Sequence, residues 1–556
     1  MGPKFGDSAR DIPFDTQFLL MQLDEDDDSS SSDEKNEPTF ALFLPLLDNG
    51  FRASLQNGHH NGSIKVFCVA CSGDASVQSK GMRALYVDTG KDPFKLIQHA
   101  FQQVSKELGT FQTLANKQIP PFVDEFGWCT WDAFYSNVTA QGVLDGVQAL
   151  KQAGTPPRTL ILDDGWQQVS PEPLLKQHIS SPNKQTKTTT GLLQKVACTF
   201  FDTHVRKAAY GSWGNRLWIT LVKTVLKRPL WEFLNTETDF TRQLAGFEPN
   251  GKFESLKSLV SQLKNELGVH NVLCWHALHG YWRGVSPELG RQAGLDVTTV
   301  FPHPTHNLKR LEPLMESDPV NLFGVGLMSS QEDLTKFYKL LHTPLQEAGV
   351  DGIKVDVQSG VSAAGCDGMG GGPTLAKLYT CAMEESVQQR FASANKQGAV
   401  NVINCMCHST ENLYRYNLTA VARASEDFFP DRSDSQTAHL INVAFNSLFV
   451  GEICLPDWDM FHSYGPAASL HAAARAIGGC PVYVSDAPGK HDPKLLRKLV
   501  LPDGSILRAK LPGRPTRDCL FANVAKDNVP LKIWNLNGAG SGVVGAFVSL
   551  TRSLRE

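Results

Sequence analysis

The stretch Asp351-Gly-Ile-Lys-Val-Asp356 decides how this chain is read: an apolar run closed by a lysine and a carboxylate. A second phrase, Arg423-Ala-Ser-Glu-Asp427-Phe-Phe-Pro430, ends another short apolar run in a carboxylate beside an arginine. In a barrel of parallel strands, chemistry collects at the strand C-termini. Two carboxylates there can face each other across a bound sugar. Reaction at an anomeric carbon needs such a pair, one group to attack and one to move a proton.

Similar runs recur outward from these phrases, between Phe122 and about Gly489, each with a polar or aromatic residue near its end. They are Phe126–Trp131, Thr159–Asp164, Val272–His276, Gly352–Asp356, Val400–Asn404, Ala420–Arg423 and Pro481–Asp486. Helical spacing fills Gly142–Ala153, Leu256–Leu267 and Gln331–Ala348. Continuous apolar strands alternating with helices imply a parallel sheet. About 370 residues with seven or eight such units suit a (β/α)8 barrel with insertions, an α/β fold. A doubly wound sheet is the alternative.

The flanks read differently. Asp24 to Glu34 is a low-complexity acidic run, expected as a solvated loop. Around it, Thr39-Phe-Ala-Leu-Phe-Leu and Ser63-Ile-Lys-Val-Phe-Cys-Val alternate like antiparallel strands. Asp92 to Leu108 has helical spacing, and Lys117-Gln-Ile-Pro-Pro121 marks a boundary. The expected division is a partial β-sandwich-like domain at 1–116, the barrel at 117–490 and a partial β-domain at 491–556. Residues 190–236 fit none of these patterns and read as an atypical insertion within the barrel.

A net charge of −4 and a pI near 6.5 give no reason to expect nucleic acid or an anionic membrane as partner. No window approaches the ~18 unbroken apolar residues of a membrane helix. The start, Met1-Gly-Pro-Lys-Phe-Gly-Asp, lacks the basic-then-apolar layout of a secretory signal, so the expected compartment is the cytoplasm. The 12 cysteines should then be reduced thiols, and Cys405-Met-Cys407-His408 is read as packed side chains rather than a metal site. Gly370-Gly-Gly-Pro373 lacks the lysine of a phosphate-binding loop.

Taken together, several phrases resemble one family. They are Phe126-Gly-Trp-Cys-Thr-Trp-Asp-Ala-Phe-Tyr135, Leu162-Asp-Asp-Gly-Trp-Gln167, Lys354-Val-Asp-Val-Gln358, Cys405-Met-Cys-His408, Arg423–Pro430, Pro456-Asp-Trp-Asp-Met-Phe-His-Ser463 and the run Leu499–Phe521. In this order they are similar to the plant seed-imbibition proteins, a group with raffinose synthases and alkaline α-galactosidases in glycoside hydrolase family 36. The resemblance implies a β-sandwich, a catalytic (β/α)8 barrel and a C-terminal β-domain, both β-domains shortened here. It implies retaining transfer of an α-galactosyl group through a covalent intermediate, with no metal or organic cofactor. The transfer would run from galactinol to sucrose, giving raffinose and myo-inositol. Hydrolysis of terminal α-galactosides is the first alternative, and a non-catalytic remnant is the second.

By the same resemblance Asp356 is the nucleophile and Asp427 the acid/base. Asp163 and Asp164 accept hydrogen bonds from the galactose 4- and 6-hydroxyls. Glu426 stands where the plant group usually has Asp, and Arg283 where it usually has Gly. The residues add their own chemistry. Asp356 must be ionised to attack, and Lys354, two residues away on the same strand face, is expected to lower its pKa. Asp427 must start protonated, with Phe428, Phe429 and the charge of Asp356 expected to favour that state. Retention predicts the two carboxyl groups roughly 5–6 Å apart. Arg423 offers a donor fork to a sugar hydroxyl or a carboxylate. Trp131 either stacks on the sugar or packs in the core. Asp457 and Asp459 either touch substrate or orient their neighbours.

Overall fold

A computed structural model describes residues 2–23, 38–171, 241–302, 319–366, 368–392 and 398–547. The acidic run, the 190–236 stretch and the last residues of the chain lie outside these ranges. Packing divides the chain into two compact units. The first comprises Met1–Gln167, Phe247–Leu278 and Ser329–Glu556, the second Gln168–Gly246 and His279–Met328.

The first unit holds eight short strands in one sheet. In chain order they are β1 Gly127–Cys129, β2 Thr159–Leu162, β3 Asn271–Ala277, β4 Gly352–Asp356, β5 Val402–Asn404, β6 Val421–Arg423, β7 Leu455–Asp457 and β8 Tyr483–Val484. Every pairing is parallel, in the spatial order β7-β6-β5-β4-β3-β2-β1-β8. A parallel bridge between Phe461, just beyond β7, and Val484 of β8 joins the two ends. There the Ser485 N–H donates to the Phe461 carbonyl at 3.1 Å. The ring is closed. A doubly wound sheet would have kept two open edges, so the barrel expectation holds.

Seven of the eight strands coincide with runs expected from the sequence. The exception is β7, whose centre is Pro456, paired with Ala422 of β6. Proline usually argues against a strand inside a sheet, which is why this one does not announce itself.

Alternation along the strands sorts the barrel interior into levels. Ile161, Leu273, Ile403, Val421, Leu455 and Tyr483 pack with Phe122, Val123 and Met460 as one buried apolar cluster. Two residues further along, the same strands carry Asp163, Trp275, Arg423, Asp457 and Ser485, all buried. The floor is apolar and the mouth is polar.

A second core lies outside the barrel. Leu42 and Leu44 of the strand Thr39–Pro45 pack there with Phe101, Tyr414, Phe449, Trp458 and Ile533. Phe101 belongs to the helix Pro93–Leu108, whose ends are chemically marked. The Asp92 side chain accepts from the Phe94 and Lys95 N–H groups, Pro93 opens the first turn, and Gly109 closes it at φ 63°. Arg52 ties the N-terminal sheets to the barrel through Glu411 (3.1 Å), while also pairing with Asp15 (2.6 Å).

The second unit contains two small two-stranded sheets. Its Arg283 has no exposed surface and donates to the carbonyls of Thr241 (3.0 Å), Phe323 (2.5 Å) and Gly324 (2.8 Å). The residue that stands where the resembled family usually has Gly is thus a buried donor to three backbone carbonyls. The guanidinium braces a fold of its own unit.

Candidate active site

Asp356 ends β4 with its side chain in the barrel lumen, 8% exposed. Its Oδ2 accepts from the Trp275 indole N–H at 3.0 Å, and its Oδ1 from the Val357 N–H at 2.7 Å. Both oxygens are therefore aimed. Val357 has φ 56°, a region that β-branched residues avoid, and Met406 (φ 45°) and Asp459 (φ 66°) repeat this just past β5 and β7. Such strain, about 1–3 kcal/mol each, persists only where surrounding structure imposes it, commonly at active sites.

Burial pushes the Asp356 carboxyl above its usual range, against the pull of Lys354 and with a further push from the charge of Asp427. Lys354 lowers it as expected from the sequence, but burial outweighs that pull. Lys354 faces the lumen, and its Nζ bonds Asp163 Oδ2 at 2.6 Å, with both side chains 4% exposed. Cys129 Sγ donates to the same oxygen at 3.3 Å. Asp163 Oδ1 accepts from the Asp164 N–H at 2.9 Å, and Asp164 is itself fully buried. Asp163 is held from several sides at the end of β2.

Across the barrel, Arg423 of β6 gathers three carboxylates. Its Nη1 donates to Asp459 Oδ2 (2.7 Å) and Asp427 Oδ1 (2.9 Å), and its Nε to Asp457 Oδ2 (3.4 Å). Its Nη2 is buried with no hydrogen-bond partner among the described residues. A buried donor of this kind is normally satisfied, so it marks a place where a further acceptor belongs. Asp457 also accepts from the Tyr483 hydroxyl at 2.7 Å. Asp459 accepts from the Phe428 N–H at 2.8 Å. Burial raises the Asp459 carboxyl to about 6 despite Arg423.

The Asp427 side chain is 49% exposed. Phe428 turns instead to His439, His462 and His471, with ring centroids 6.3, 5.8 and 5.0 Å away, and Phe429 lies 5.3 Å from the Arg432 guanidinium. The apolar setting expected around Asp427 is therefore not what surrounds it. Glu426, its neighbour, bonds Asn442 Nδ2 through Oε1 (3.0 Å) and Oε2 (3.1 Å). Of the adjacent acids, Asp427 is the one joined to the lumen arginine. Trp131 packs its half-buried ring against the barrel-floor cluster and stands edge-on to Tyr135, 5.3 Å between centroids.

Two members of the site escaped the sequence reading. Trp275 was visible only as part of a strand, although its odd-numbered register with Leu273 already put it in the lumen. Asp132 follows Trp131 and accepts from the Ser485 hydroxyl at 2.5 Å, its side chain 3% exposed. Burial, and then the charges of Asp459 and Asp163, push it to about 7 against the bond from Ser485. Nothing in a lone acidic residue on a helix start signals that.

Charged side chains thus gather at the mouth of the barrel, the end of this fold where strand C-termini and their loops meet. The sequence profile described as "Raffinose synthase or seed imbibition protein Sip1" matches residues 1–551, and the chain belongs to that family. It is 39% identical to "Probable galactinol--sucrose galactosyltransferase 6" of Arabidopsis thaliana, covering 98% of this chain and 65% of that protein. It is 35% identical to "Galactinol--sucrose galactosyltransferase" of Oryza sativa subsp. japonica, covering 98% and 63%. "Stachyose synthase" of Pisum sativum is 30% identical over 98% and 66%. The chain thus spans about two thirds of these relatives' length. Among solved structures, the GH36 α-galactosidase AgaA of Geobacillus stearothermophilus overlaps 95% of this chain and 63% of its own at 9% identity and a TM-score of 0.46.

Proposed function

We propose that the chain carries out retaining α-galactosyl transfer from galactinol to sucrose, yielding raffinose and myo-inositol. The observation that supports it best is Asp356, aimed by an indole and a backbone N–H into a lumen it shares electrostatically with Asp427. The names of the relatives fit the same donor and acceptor.

In the first half-reaction, the Asp356 carboxylate bonds to galactose C1 as the bond from C1 to the inositol oxygen breaks. Asp427 gives its proton to that oxygen. In the second, Asp427 takes the proton of a sucrose hydroxyl while its oxygen bonds to C1 and Asp356 leaves. Asp163, Asp164 and the unpartnered Nη2 of Arg423 hold sugar hydroxyls, with Lys354 keeping Asp163 in place. The half-exposed Asp427 favours a second reading, hydrolysis, because water reaches a group with that much open surface. The cytosol is the compartment this reading expects, and fractionation of a tagged chain checks it. No helix among the described residues is long and apolar enough to cross a membrane.

The test incubates purified protein with galactinol, with and without sucrose. Raffinose formed only with sucrose supports transfer, and free galactose in both arms supports hydrolysis. Neither product would leave the non-catalytic remnant as the surviving description.

A further inference from the structure

The segment after β6 places two acids side by side, and only one of them is joined to the lumen arginine. What turns them apart lies outside the barrel, on the helix Gln436–Val450. Asn442 and Asn446 stand one turn apart there, on one face of that helix. Asn446 Nδ2 donates to the Ala424 carbonyl at 2.7 Å, and Asn442 Nδ2 to both Glu426 oxygens at 3.0 and 3.1 Å. Ser425 Oγ adds a short bond to Glu426 Oε2. On the far side of Asp427, the Phe428 N–H is held by Asp459 Oδ2 at 2.8 Å, and the Phe428 ring is buried among three histidines. Ala424, Glu426 and Phe428 are anchored in turn, and Asp427 is left pointing at Arg423.

We propose that Asn442 and Asn446 are positioning residues for Asp427, clamping Ala424 and Glu426 to the helix so that the Asp427 carboxyl faces the departing sugar oxygen. Glu426, longer by one methylene than the aspartate the resemblance expects there, serves as the handle that Asn442 grips. This inference rests on the reading of Asp427 as the acid/base. The clamp matters because a half-exposed carboxylate outside the barrel core has little packing of its own to fix it. Proton transfer requires hydrogen-bond reach, about 2.6–3.2 Å, so a loop that drifts loses the acid without losing the fold.

The test compares two donors on the full chain carrying Asn442→Leu, which keeps the side-chain size and removes the grip on Glu426. Galactinol has a poor leaving group and needs its oxygen protonated. A dinitrophenyl α-galactoside has a good one and hardly does. The expected result is a loss of kcat about tenfold larger on galactinol than on the aryl donor, at an unchanged melting temperature. Glu426→Gln, which gives Asn442 an amide to hold instead of a carboxylate, should show the same imbalance in smaller measure. It also serves should Asn442→Leu not fold. Equal losses on both donors, or no loss on either, in a folded variant overturn the clamp. A wild-type chain inert on both donors overturns instead the functional reading beneath it, so the two failures are told apart.

Discussion

The two carboxylates at the centre of this site are held in opposite ways. Asp356 is buried at the end of a strand, with each oxygen fixed by a donor from the barrel wall. Asp427 sits half-exposed on an irregular segment, tied to Arg423 and steered by anchors on either side. The difference suits the chemistry. A nucleophile must meet one carbon along one line, whereas a proton donor must serve first one oxygen and then another. Precision comes from the barrel, and tolerance from a segment held at intervals.

The largest effect that could break this comparison is loss of the proposed nucleophile. Asp356→Asn should lower galactosyl release from any donor by about 10⁴-fold or more, because the covalent step disappears. Turnover retained by a purified, folded variant removes Asp356 from its role. Asp427→Asn should cost about 10²- to 10³-fold on galactinol and far less on a dinitrophenyl α-galactoside. A loss that ignores the leaving group would make the two acids equivalent, contrary to the way they are mounted.

Smaller changes sharpen the contrast. Trp275→Phe deletes the indole N–H that favours the charged form of Asp356, so the carboxyl pKa rises further. The acid limb of kcat/KM should then move to higher pH, with the loss growing as pH falls along that limb and vanishing on the plateau. A pH profile that stays put would show that the bond does not tune the nucleophile.

Asp132 predicts the smallest effect, and it concerns stability. Its folded pKa of about 7 lies above the ordinary 3.8, so the folded chain binds a proton that the unfolded chain has released. Folding is therefore favoured below pH 4 and progressively penalised as pH rises toward 7. Asp132→Asn removes the penalty and should raise the melting temperature by about 3 °C at pH 8, with no gain at pH 4. A gain at both pH values would point to packing rather than charge.

Much of the fold was legible because strands buried on both faces are continuously apolar and end where the chain turns polar. Gly352–Asp356 is a strand over the very residues expected. The strand Leu455–Asp457 was hidden because a central proline weakens the local signal, yet pairing with β6 on one side and the Phe461 bridge on the other secures it. The site was legible as a set of residue types and strand ends. Its wiring was not. Lys354 and Asp356 share a strand face, which suggested a pair, but Asp163 lies closer to the lysine because β2 delivers its carboxylate to that level of the lumen. Phe428 and Phe429 follow Asp427 directly, and both rings found partners elsewhere.

The sequence alone determined seven of the eight barrel strands, which faces they bury, and which acids stand at their ends, because alternation and apolarity are local properties of the chain. Only the tertiary structure decided which charge meets which: that Lys354 serves Asp163, that Arg423 joins three carboxylates, and that Glu426 and Asp427 part company. Electrostatic partners are set by distance across the lumen, and distance between residues far apart in the chain exists only once the barrel has closed.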